Sequence, residues 1–230
     1  MQNFRKEAAK EAVKRIKPGS TIGFGGGATI TYLAEYIKED AALSDSLIAV
    51  TSSFTTRQTL LRLGFILHEM QESSHVDLYF DGCDQFDHRL NALKSGGGIH
   101  TTEKIMAAMA DEFILLGDAA KRVERLSPTF PLVLEVIPEA LAYVSDRVKK
   151  FFNPAKLELR LSDKKDGAVF TERGNFLIDC WFSTFPEPIM INDRMISIPG
   201  ILEHSLFYNM AQTAIVAGPE GIQHYSKMGS

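Results

Sequence analysis

The stretch Gly23-Phe24-Gly25-Gly26-Gly27-Ala28 decides how this chain folds. A short apolar run, Thr21 to Phe24, ends in three glycines, and a helical pattern with Tyr32, Leu33, Tyr36 and Ile37 on one face follows at once. A strand delivered through a glycine turn into a helix is the opening unit of a parallel α/β sheet, whose ligands sit beyond the carboxyl ends of the strands. The plan recurs downstream. Leu47-Ile48-Ala49-Val50 reads as a buried parallel strand, and Thr55 to Leu63 as a helix closed by Gly64. Upstream, Phe4, Ala8, Ala12, Val13 and Ile16 recur at helical spacing until Lys17-Pro18-Gly19 stops the helix.

A third unit is the alternating strand Val76 to Phe80, which ends in Asp81-Gly82-Cys83-Asp84. After the glycine-rich loop Lys94 to Gly98, a helix starts near Thr102 and feeds the strand Phe113 to Leu116. From Pro131 the texture changes. Leu132 to Val136 reads as a strand, Pro138 opens a helix, and short strands follow with turns at Asp166-Gly167 and Gly174-Asn175. The chain returns to the main sheet around Leu206, with Thr213 to Ala217 as its last strand. The expected division is a main α/β domain, residues 1–129 and 206–230, and a smaller α+β lid, residues 130–205.

With 230 residues, 45% of them apolar and 23% charged, the composition is that of a globular chain able to bury a sizeable core. A formal net charge of −4 with no Lys/Arg block argues against nucleic acid or an anionic membrane as partner, and favours a small ligand. The charged, helix-patterned start does not read as a targeting segment, and no run approaches the roughly 18 apolar residues of a membrane span. A soluble, cytoplasmic protein is the expectation. Cys83 and Cys180 have no Cys or His partner at metal-ligand spacing, so no metal site is expected.

The first glycine turn fits the pattern G-x-G-x-x-G/A, in which backbone N–H groups approach a phosphate at a helix amino end. A nicotinamide dinucleotide also wants an acid at the tip of the second strand, where this chain has Thr51-Ser52-Ser53. A single phosphate group is the better fit. Asp81 and Asp84, at a strand's carboxyl end, face the expected crevice, where neighbouring carboxylates can divide acid and base work. Lys94-Ser95-Gly96-Gly97-Gly98 puts a cation beside a nest of N–H groups, as a developing oxyanion or a phosphate requires. Glu103 opens the following helix, where an acid complements the dipole, and a short loop returns it to Lys94 as a candidate base. Lys121 reads either as a surface lysine or as a phosphate contact, Cys83 as a small filler, and the six histidines as surface or packing residues.

Taken together these segments resemble the ribose-5-phosphate isomerase family of the A type. The loops at Asp81-Gly82-Cys83-Asp84 and Lys94-Ser95-Gly96-Gly97, then Glu103-Lys104, Gly117-Asp118-Ala119-Ala120-Lys121 and Phe130 to Pro138, match in order and spacing. The likeness runs on through Gly174-Asn175 to Asp179, then Ile198-Pro199-Gly200 and Gly218-Pro219-Glu220-Gly221. It implies a Rossmann-like parallel sheet flanked by helices, with a smaller α+β lid. The implied activity is interconversion of ribose 5-phosphate and ribulose 5-phosphate in the non-oxidative pentose phosphate pathway, with no metal or organic cofactor, by a homodimer or homotetramer. The implied roles are Glu103 as the base between C1 and C2, Asp81 and Asp84 in ring opening and hydroxyl proton traffic, and Lys94 beside the enediolate. Gly26, Gly27, Ala28 and Thr29, with Lys121, are implied to hold the phosphate, and Gly82, Cys83, Ser95, Gly96 and Gly97 to line the substrate. This chain departs from the family's first loop at Gly26 and Ala28, where hydroxyls are usual, which leaves Thr29 alone and implies weaker affinity or a shifted preference. Gln85 and Ser95 stand where the family often has an acid and a glycine. A sugar-phosphate sensor that has lost the reaction is the alternative those departures keep open.

Overall fold

The computed structural model describes residues 3–227. Helix α1 (Phe4–Val13) starts where the Asn3 side chain accepts the Lys6 N–H, and it buries Ala8, Ala9 and Ala12. Strand β1 (Thr21–Phe24) passes through the glycine turn into α2 (Ala28–Lys38), and a short α3 (Ala41–Ser46) follows. Strand β2 (Ile48–Thr51), helix α4 (Phe54–Arg62) capped by Ser53, and the two-residue β3 (Ile66–Leu67) repeat the unit. Next come β4 (Val76–Asp81), β5 (Gln85–Phe86), β6 (Ala92–Leu93) and α5 (His100–Met109), which runs directly into β7 (Ala110–Asp118). The next elements are β8 (Leu132–Val136), α6 (Leu141–Phe152), β9 (Lys156–Leu159), β10 (Phe176–Trp181) and α7 (Pro188–Arg194). The chain closes with β11 (Ile201–His204), β12 (Leu206–Phe207), β13 (Thr213–Gly218) and β14 (Gly221–Ser226).

Seven strands form the main sheet in the order β14-β13-β7-β4-β1-β2-β3, parallel throughout except for the antiparallel edge strand β14. One face packs on α1, α2 and α4 through Ala9, Ile30, Leu33 and Leu60. The other packs Tyr79, Phe113 and Val216 against Met106 of α5 and Phe207. The chain steps from β1 to β2 on one side and returns to place β4 on the other, so the connections after β1 and β4 open a crevice between them. A four-stranded antiparallel sheet, β11-β8-β10-β9, forms the smaller domain with α6 and α7.

Two details differ from the sequence expectation. Leu206 does not rejoin the main sheet; β12 pairs with β6 in a separate three-stranded sheet, β12-β6-β5, and the chain re-enters at Thr213. Strand β14 is an additional edge whose side chains alternate between half-buried and exposed, so it lacks the apolar run that marks β13.

Candidate active site

Asp81, the last residue of β4, is almost fully buried and anchors the crevice. Its Oδ1 accepts the Gly26 N–H at 3.0 Å and the Gly82 N–H at 2.7 Å, and its Oδ2 accepts the Tyr79 hydroxyl proton. The first glycine turn lies on this carboxylate so closely that a Cβ at Gly25 would be 1.9 Å from Asp81 Cγ. That turn is also tied to the next connection, because Thr56 Oγ1 donates to Gly25 O at 2.7 Å. Gly27, at φ +94°, precedes the first turn of α2, where no side chain caps the helix and the Ala28 and Thr29 N–H groups have no helical acceptor.

Lys94 reaches into the same pocket, held by its own N–H on the Ser205 carbonyl at 3.0 Å. Its Nζ lies 2.7 Å from Asp81 Oδ2 and 3.4 Å from Glu103 Oε1, and it donates to Gly82 O. Glu103 projects from the first turn of α5, buried. Burial pushes its carboxyl up, to about 8; Asp81 adds to the rise and Lys94 opposes it. Burial also disfavours the Lys94 charge, but Asp81 and Glu103 outweigh it and hold the ammonium above its ordinary pKa. Burial, reinforced by Asp81, raises the Tyr79 phenol, so that hydroxyl remains a donor. A carboxylate with its pKa raised to about 8 can take a proton from carbon and give it back, while the permanent cation beside it balances the charge that develops.

A cavity of about 510 Å³ opens over this cluster. Of the residues expected from sequence, Gly26, Gly27, Asp81, Gly82, Cys83, Asp84, Lys94, Gly96, Gly97, Glu103 and Lys121 line it. Lys121 belongs to the site rather than to open surface, for its Nζ donates to Cys83 O. Cys83 is an inert wall, its thiol pushed up to about 12 by burial. Ala28, Thr29 and Ser95 are not among the lining residues. Thr29, in the first turn of α2, is largely buried. Ser95 Oγ donates to Pro131 O at 2.6 Å and its N–H to Asp84 Oδ2 at 2.6 Å, so it braces the loop from outside the cavity. Sequence reasoning missed Ser53, Phe54, Thr55, Ile99 and Glu172, which complete the wall. Ser53 was readable as a helix cap; nothing local marked Glu172. Behind α5, His100 and His204 are buried packing groups, and burial lowers His100 to about 3.

The family model for ribose 5-phosphate isomerase A (phosphoriboisomerase A) matches residues 48–221. Ribose-5-phosphate isomerase A of Trichormus variabilis is 34% identical over 216 residues, which cover 93% of this chain and 90% of the relative. That of Thermococcus kodakarensis is 33% identical over 230 residues, 99% of each chain. The solved structure of ribose 5-phosphate isomerase A from Methanocaldococcus jannaschii superposes with a TM-score of 0.88 at 32% identity, covering 97% of this chain and 98% of that one. A D-ribose-5-phosphate isomerase in complex with phospho-erythronic acid gives a TM-score of 0.91 at 31% identity, covering 98% and 100%.

Proposed function

The chain belongs to the ribose 5-phosphate isomerase A family, an intramolecular aldose–ketose isomerase of the pentose phosphate pathway, and from that premise we propose that Glu103, Lys94, Asp81 and Asp84 carry its chemistry. In the open-chain aldose, the carbonyl at C1 acidifies the proton on C2. The Glu103 carboxylate removes that proton, and the electron pair forms the C1–C2 double bond while negative charge develops on O1. The Lys94 ammonium, itself largely buried, neutralises that charge. Glu103 then returns its proton to C1 as O2 gives up its own and becomes the ketone oxygen. Asp81 and Asp84 handle the hydroxyl protons, here and in opening the furanose ring. No atom is gained or lost.

The opposite end of the cavity receives the phosphate. Gly27, Ala28 and Thr29 present backbone N–H groups at the start of α2, and Lys121 adds a cation. Backbone donors do what the missing hydroxyls of Gly26 and Ala28 would have done, with the Ser53 and Thr55 side chains on the adjoining wall. A cytoplasmic homodimer or homotetramer remains our reading for the assembly. No helix among the described residues is long and apolar enough to cross a membrane, and Tyr143 and Phe151 expose apolar surface on α6.

The observation that carries the assignment of roles is Lys94 Nζ standing between Asp81 and Glu103. Glu103→Gln keeps the shape and removes the base. It should lower kcat for ribose 5-phosphate by about 10²- to 10⁴-fold, with phospho-erythronic acid still bound and the melting temperature kept. A variant that retains more than about a tenth of the activity removes Glu103 from that role.

A further inference from the structure

One charged side chain of the smaller domain grips the backbone of the Lys94 loop. Arg160, just past β9, is clamped by Asp179 of β10: its Nε lies 3.1 Å from both carboxylate oxygens and its Nη2 2.5 Å from Oδ1. The same guanidinium donates from Nη2 to the Ser95 carbonyl at 2.9 Å and from Nη1 to the Gly96 carbonyl at 3.3 Å. No peptide bond among the described residues is cis. In a trans peptide the N–H points opposite to the C=O. With the carbonyls of Ser95 and Gly96 both turned toward Arg160, the N–H groups of Gly96 and Gly97 turn away from it. Both glycines line the cavity, and among the described residues neither N–H has a protein acceptor. The loop is seated on the small sheet at its far end too, where a Cβ at Gly98 would be 2.7 Å from Leu177 Cδ1.

We infer that Arg160 is a positioning residue, which aims the Gly96 and Gly97 N–H groups at the enediolate oxygens formed beside Lys94. The inference rests on the isomerase chemistry proposed above and extends it across the domain junction. Two successive amides pointing one way make a concave anion site, and a cation on their carbonyls polarises both donors. Asp179 fixes the guanidinium plane, and the planar fork spans both carbonyls at once, a task one ammonium cannot repeat. Such donors act on charge that exists only during the reaction, so their loss falls on kcat rather than on KM.

The test compares Arg160→Met and Arg160→Lys by steady-state kinetics with ribose 5-phosphate, and by inhibition with phospho-erythronic acid and with inorganic phosphate. Phospho-erythronic acid carries a planar anionic end where C1 and C2 of the intermediate would lie; inorganic phosphate probes only the other end of the cavity. Arg160→Met should lower kcat by about 10- to 100-fold and weaken phospho-erythronic acid by a similar factor, with KM and phosphate inhibition within about threefold of the parent. Arg160→Lys should recover only part of the loss. A kcat within about threefold of the parent in Arg160→Met overturns the inference, as does equal weakening of both inhibitors, which would mean general loosening of the pocket. Should Arg160→Met fail to fold, Asp179→Asn, which keeps the guanidinium and frees its plane, carries the same readouts in the same direction. An active Glu103→Gln enzyme would refute the underlying reading. An inactive Glu103→Gln beside a normal Arg160→Met would refute only this one.

Discussion

Two glycine-rich loops line one cavity, and they are glycine-rich for different physical reasons. The loop after β1 is pressed onto a charged side chain. A Cβ at Gly25 would overlap the Asp81 carboxylate, and the Gly26 N–H ends on the same group. The loop after Lys94 is open on its cavity side, and a Cβ at Gly96 would meet nothing closer than Asp84 Oδ1 at 3.9 Å. The first loop therefore uses glycine for close approach of the backbone, the second for backbone donors left facing the cavity. The two runs look alike as letters and differ only once Asp81 is in place between them.

The matched pair Gly25→Ala and Gly96→Ala tests that difference most severely. Gly25→Ala should cost about 3 kcal/mol of unfolding free energy and about 10³-fold in kcat/KM, because Asp81 must move away from Lys94. Gly96→Ala should stay within about 1 kcal/mol of the parent in a urea titration. Equal destabilisation by the two substitutions would break the comparison.

A pH series separates the two ends next. Glu103, with its carboxyl raised to about 8, titrates at the Lys94 end of the cavity. The raised pKa keeps the proton on the base at lower pH, so kcat/KM should climb about tenfold per unit below pH 8 and level off above it. Phosphate inhibition measured between pH 7 and 9 and expressed per phosphate dianion should stay nearly flat. A base with an ordinary carboxylate pKa would give a flat rate profile there as well.

The smallest effect is the most specific to this chain. Gly26→Ser has room, since a Cβ there lies 3.6 Å from Ser53 Oγ. The added hydroxyl should lower KM for ribose 5-phosphate by about threefold with kcat unchanged. An unchanged KM would mean that the phosphate does not rest against this loop.

Much of the site could be read in advance, for a definite reason. Asp81, Asp84, Lys94 and Glu103 each sit at an element boundary, and in a parallel sheet such boundaries after the switch-point strands share one crevice. Strands β1 and β8 announced themselves as apolar runs of the right length. What stayed illegible was tertiary. Arg160 carries no motif, and its meaning comes from lying across the Lys94 loop, far away in the chain, with Asp179 holding it there. Strands β5 and β6 are two residues each, too short to show any period. Ser53 sits in no binding motif, and it lines the cavity only because the connection after β2 lies against the first glycine turn.

The Lys94 N–H is held by the Ser205 carbonyl, and β6 is completed by β12. During synthesis a nascent chain can extrude β1, β2 and β4, with their helices, while the residue that seats Lys94 is still untranslated. Turnover should therefore switch on late and all at once as the final segment leaves the ribosome, and a product truncated ahead of Ser205 should be inert however well its first half has condensed.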